Sequence, residues 1–169
     1  MYARFVRGPA GYGQTTLEEG GDGTVRDRAT GMVWQRVDDG RPRGWKEALG
    51  VCAGLSLGGR TDWRLPTAKE LHTLVDYSRA PAVSGTAALA SGLQVSTVES
   101  YFWTSTTLLD GPLDIAPSRA AYFAFGRALG WMQLPAGSGS GPAAYPRDLG
   151  PQGDEVRIRN LVRCVRGPD

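Results

Sequence analysis

Two cysteines, one histidine and a late run of arginines are the residues with chemistry to offer in this 169-residue sequence. His72 is the only histidine. A serine nucleophile in Trp103-Thr104-Ser105-Thr106 needs a base within hydrogen-bond reach. His72, however, falls on the polar side of the helix expected after Thr67, away from Leu71, Leu74 and Val75. We therefore expect a solvated His72 and no Ser/His/Asp triad. Asp38-Asp39 and Asp154-Glu155 sit in turn-like segments and are expected in water. Asp110 and Asp114 are too few for calcium, which takes about six to eight oxygens. Two cysteines lack the further ligands zinc wants. No metal and no cofactor are expected.

Cys52 and Cys164 each fall on the apolar side of their element, so both should face one core. A helix packed on the last strand could bring them within bonding distance; two buried free thiols are the alternative. A bond would close a loop of over a hundred residues. In the chain-entropy model that is worth about 4–5 kcal/mol, and it implies an oxidising compartment.

Arg119, Arg127, Arg147, Arg157 and Arg159 are the candidate anion-binding residues, and residues 115–147 contain no acidic side chain. A guanidinium fork suits sulfate, phosphate or carboxylate. Tyr122 and Trp131 could present aromatic faces to a sugar ring. The plainer alternatives are ordinary surface arginines and aromatic core packing. Of the 19 basic residues only Lys46 and Lys69 are lysine, a bias that genome composition alone would produce.

The elements that must hold these residues follow from pattern. Residues 1–20 are Gly-rich and read as a loosely held leader to a domain spanning 21–169. Asp22-Gly23 and Ala29-Thr30-Gly31 bracket a hairpin of Thr24–Asp27 and Met32–Gln35. Trp45, Ala48, Leu49, Cys52 and Leu55 share one face of a helix over 44–55, with Gly58-Gly59 as its end. Thr67-x-x-Glu70 after Pro66 is a capping box opening a second helix. Residues 78–99, 107–119 and 134–155 read as long loops. Tyr101–Thr106 is strand-like, and 121–125 with 129–132 reads as a second hairpin around Gly126. In the closing strand Val156, Ile158, Val162 and Cys164 share one parity, so Arg157, Arg159 and Arg163 are expected to point outward.

Composition sets the outer limits. Hydrophobic residues make up 41%, enough for a packed core, and 24 Gly with 11 Pro predict many turns around a small frame. A net charge of +2 argues against non-specific nucleic-acid binding. No apolar run approaches the ~20 residues of a membrane span. The opening Met1-Tyr2-Ala3-Arg4 carries no export signal and reads as a start from which one has been removed.

In order along the chain, Asp22-Gly23-Thr24-Val25-x-Asp27-x-Ala29-Thr30-Gly31-Met32-x-Trp34-Gln35, Trp45-x-x-Ala48, Cys52, Asp62-Trp63-Arg64-Leu65-Pro66-Thr67-x-x-Glu70-Leu71, Trp103-Thr104-Ser105-Thr106 and Val162-Arg163-Cys164-Val165-Arg166 resemble the Legionella collagen-like protein C-terminal domain family. The resemblance implies an α+β, C-type-lectin-like fold related to formylglycine-generating enzymes. Two helices would flank small twisted, mostly antiparallel sheets, with long loops on one side. It also implies a Cys52–Cys164 disulfide and a secreted, periplasmic or cell-surface location. Family adhesins bind sulfated polysaccharides, often as homo-oligomers. The sequence shows no collagen repeat, and a family's ligand is set by its loops rather than by its frame.

The expected function is non-catalytic recognition of a polyanionic glycan or a surface protein through Arg119, Tyr122, Arg127, Trp131, Arg147, Arg157 and Arg159. A loop-variable display scaffold for protein targets is the first rival. An oxidase related to formylglycine-generating enzymes is the second, and it requires a reactive thiol at a copper site.

Overall fold

Glycines at two tight turns let the first strands fold back on one another. In a computed structural model, which describes residues 15–79, 85–97, 101–108, 119–126, 131–132, 143–144 and 159–168, strands β1 (Leu17–Glu19), β2 (Thr24–Asp27) and β3 (Val33–Gln35) form an antiparallel meander. Strand β8 (Val165–Arg166) adds to β3, giving the order β1-β2-β3-β8. Pairing therefore begins inside the segment read as a leader. Buried Asp27 organises the β2–β3 turn: its carboxylate accepts from the Ala29 amide at 2.9 Å and the Thr30 hydroxyl at 2.6 Å. Gly31 follows at φ 73°, where a Cβ would meet Pro168 Cβ at 2.9 Å. The Asp-x-Ala-Thr-Gly run is thus a side-chain-capped turn.

Helix α1 (Trp45–Ala53) buries Ala48 and Cys52, with Trp45 and Leu49 half-buried beside them, as the spacing predicts. It ends earlier than expected. Gly54 caps it, and Gly58-Gly59 form a separate turn closed by a Leu57–Arg60 bridge. Helix α2 (Ala68–His72) carries the predicted capping box. The Thr67 hydroxyl accepts from the Glu70 amide at 3.2 Å, and the Glu70 carboxylate accepts from the Thr67 amide at 2.8 Å. Leu71 and Leu74 point inward from it.

The second predicted hairpin is wrong in its partner. Strand β5 (Arg119–Ala124) pairs antiparallel with β4 (Tyr101–Leu108), not with 129–132; β6 (Trp131–Met132) pairs with β7 (Ala143–Ala144) instead. A Gly after an apolar run suggested a tight turn. The longer aromatic ladder, Phe102 opposite Phe123 and Trp103 opposite Tyr122, outweighs it.

Residues 160–166 run through the middle of the molecule, and all seven are buried. Leu161 and Val165 enter a cluster with Val25, Trp34, Leu71, Leu74, Phe102 and Phe125. Val162 and Cys164 enter a second with Val33, Ala48, Cys52, Trp63, Leu65 and Trp103. The parity reading holds for Val162 and Cys164 but fails for Arg163, which is wholly buried, because both faces of this segment are covered. Val156 and Ile158 lie outside the described residues. Part of the loop expected over 78–99 also supplies core: Ala87, Leu89, Ala90 and Leu93 are buried, and Leu89 bridges to Val75. The fold class is α+β, with two helices and small, mostly antiparallel sheets among the described residues.

Candidate functional site

The residues with most chemical potential are largely committed to the frame. Cys52 and Cys164 form a disulfide with Cα atoms 5.4 Å apart, tying α1 to the segment entering β8 across 112 positions. Both are buried. His72 is exposed as expected, with the Tyr77 hydroxyl 2.6 Å from Nε2 and the Phe123 ring edge-on at 5.9 Å. Among the described residues no group of His, Cys, Asp or Glu is arranged to hold a metal ion.

Asp38 is not the solvated turn carboxylate expected. It is buried and accepts from the Gly40 amide at 3.0 Å and the Ser96 amide at 2.9 Å. Beside it, Arg163 spreads its guanidinium over three carbonyls: Gln35 at 2.6 Å, Arg36 at 2.8 Å and Gln94 at 2.5 Å. The Asp38 carboxylate lies 3.8 Å away and the Phe102 ring centroid 5.2 Å away. Burial pushes the Arg163 guanidinium down to about 10, opposed by the Asp38 charge. This cation fastens β3, the 94–96 segment and the closing strand together. Asp39, by contrast, stays near water and takes an Arg43 fork at 2.8 and 2.5 Å, which lowers its carboxyl. Asp154, Glu155, Asp110 and Asp114 lie outside the described residues.

Asp62-Trp63-Arg64-Leu65-Pro66-Thr67 is built into the frame. Trp63 and Leu65 fill the second cluster. The Arg64 partner is the capping carboxylate itself, gripped at 2.8 and 2.6 Å, so Glu70 serves Arg64 and Thr67 at once. Its carboxyl is lowered, first by that fork. Asp62 accepts from Arg166 Nε at 2.9 and 3.1 Å, joining this motif to the closing strand.

Of the candidate ligand residues, Arg127, Arg147 and Arg157 lie outside the described residues. Trp131 is placed by its backbone alone, in β6 opposite Ala144. Tyr122 is half-buried, its ring edge-on to Tyr101 at 5.7 Å and to Trp103 at 6.4 Å. Its body packs in the aromatic ledge of β4 and β5, with part of its surface in solvent.

The backbone positions of Arg119 and Arg159 lie at opposite ends of one ribbon. Arg119 pairs with Leu108 at one end of the β4–β5 ribbon. Leu161 bridges Phe102 in parallel at the other end, and exposed Arg159 precedes it. At about 3.3 Å per residue the ribbon between them is roughly 20 Å long.

A groove of about 760 Å³ lies elsewhere, lined by Thr15, Thr16, Leu17, Glu19, Val75, Asp76, Tyr77, Ser78, Ala90, Ser91 and Gly92. None of these was a candidate from sequence. The alternation of Thr16, Leu17 and Glu18 before the Asp22-Gly23 turn was the available sign of a third meander strand.

With that geometry in place, a family model described as the Lcl C-terminal domain matches residues 23–137. No curated protein and no solved structure matches the chain.

Proposed function

The chain belongs to the Lcl C-terminal domain family, and from that premise we propose that it is a non-catalytic recognition module that binds an extended polyanionic glycan along the β4–β5 ribbon. An extracellular or surface module is what family membership suggests. The buried disulfide supports that location, since such bonds persist in oxidising compartments. No helix among the described residues is long and apolar enough to cross a membrane.

The observation that carries the ligand reading is the placement of Arg119 and exposed Arg159 at opposite ends of one ribbon, with part-exposed Tyr122 between them. A polymer long enough to span the ribbon can meet both positions. Binding is an equilibrium of Arg forks with sulfate or carboxylate groups, with little rearrangement of a cross-linked frame. Arg127, Trp131, Arg147 and Arg157 belong to the same third of the chain and complete the proposed ligand set.

The oxidase rival needs a reactive thiol, and the bridged, buried state of Cys52 and Cys164 supports the non-catalytic reading. Heparin–agarose is the direct test. The full chain should be retained at low salt and elute as salt rises, with Arg159→Ala eluting earlier. Passage through the column at low salt contradicts the polyanion reading; capture of a protein partner in its place would favour the display-scaffold rival.

A further inference from the structure

We propose that the free edge of β1, together with the groove beside it, is a docking site for an extended cationic peptide that adds a strand to the four-stranded sheet. This site is separate from the arginine-bearing ribbon and does not rest on the glycan reading.

The hydrogen-bond phase of β1 sets the geometry. Arg28 donates to the Thr16 carbonyl and Gly20 to the Thr24 carbonyl, each at 2.9 Å. Hydrogen-bonded pairs alternate in an antiparallel ladder, so Glu18 opposite Arg26 is the bonded pair between them. The N–H and C=O groups of Leu17 and Glu19 therefore point away from β2. Nothing among the described residues bonds to them there. Leu17 and Glu19 also line the groove, whereas Glu18 does not. Two main-chain donors and two acceptors thus face an open channel, the requirement for strand addition.

The chemistry around the channel selects the occupant. The charged side chains lining it are the carboxylates of Glu19 and Asp76, paired with Arg36 at 3.1 Å and Arg79 at 3.2 Å, neither of which lines the groove. Tyr77, 78% exposed, and half-buried Val75 offer apolar surface, and Thr15, Thr16, Ser78 and Ser91 offer hydroxyls. An extended peptide with Lys or Arg at alternate positions matches both the ladder and the charge. In a second copy docked antiparallel with Leu17 opposite Glu19, one Glu18 would lie directly opposite the other in the closer, non-bonded pair, where like charges repel; a peptide carrying Lys or Arg at that position meets no such repulsion.

The test pans a random peptide library against the full chain and then uses the best synthetic peptide as probe. Recovered sequences should carry Lys or Arg at alternate positions, and the peptide should slow hydrogen exchange at the Leu17 and Glu19 amides. N-methylation of a bonding amide should weaken it by about tenfold, the effect of roughly one net hydrogen bond. Asp76→Asn should weaken it severalfold, while Arg159→Ala should leave it unchanged. The proposal is overturned if no peptide is recovered, if bound peptide leaves those two amides exchanging freely, or if N-methylation has no effect. It is equally overturned if a neutral oligosaccharide, or raised protein concentration alone, protects the same amides.

Discussion

Replacing Arg163 by Met keeps most of the side-chain volume and removes the charge. The guanidinium is fully buried and donates to three carbonyls, Gln35, Arg36 and Gln94. Bonds from a charged donor contribute about 1.5–3 kcal/mol each when intact. Their loss is partly offset because the buried cation no longer has to be desolvated. Asp38 keeps its two amide donors but loses its nearby counter-charge, and breaking such a buried pair costs about 3–5 kcal/mol. We expect R163M to destabilise by about 3–5 kcal/mol, lowering Tm by roughly 6–20 °C for a chain of this size. Asp38→Asn should cost clearly less, since the carbonyl bonds of Arg163 survive. Urea unfolding of wild type, both single variants and the double variant, with the disulfide intact, gives all the values. A loss under about 1 kcal/mol for R163M would refute the clamp.

Three further outcomes follow from the frame. Cys52→Ala with Cys164→Ala removes a cross-link spanning 112 positions and should cost about 4–5 kcal/mol in the chain-entropy model, read by urea midpoint; an unchanged midpoint speaks against the bridge as a stabiliser. Thr67→Ala deletes the hydroxyl that accepts from the Glu70 amide and should cost about 1 kcal/mol, with no effect expected from Lys69→Ala on the exposed side of the same helix. Glu70 and Asp39 have carboxyls held below their ordinary values of 4.5 and 3.8 by arginine forks, so their stabilisation is present above those values and lost as pH falls below them. Thermal midpoints should be level from neutral pH down to those values and fall beneath them; a midpoint that holds to pH 2 contradicts this.

What could be read from the sequence was what local chemistry decides. The Asp22-Gly23 and Thr30-Gly31 turns, the Thr67/Glu70 capping box and the inward face of α1 depend on neighbours within about one helical turn or one strand pair. The disulfide was accessible because Cys52 and Cys164 each lie on an apolar face of their own element. Misreadings came where the deciding partner is distant. Arg163 looked outward by alternation, yet carbonyls from Gln35, Arg36 and Gln94 receive it inside. Leu89 and Leu93 sit in a stretch of small polar residues whose helix-free backbone still packs on the core. Strand β5 was given a tight-turn partner when its true partner, β4, lies across a long connection. For the ligand residues, the separation of Arg119 and Arg159 along β4 could not be inferred without knowing which strands pair.

The separation of Arg119 and Arg159 also supplies the most direct test of the recognition reading. Isothermal titration with sulfated oligosaccharides of increasing length, at low and at physiological salt, measures whether one chain engages both ends of the ribbon. The account predicts feeble binding of a disaccharide, a sharp gain once the oligosaccharide is long enough to span the ribbon, and loss of that gain in Arg159→Ala. Affinity independent of length, or binding that salt leaves untouched, would contradict it.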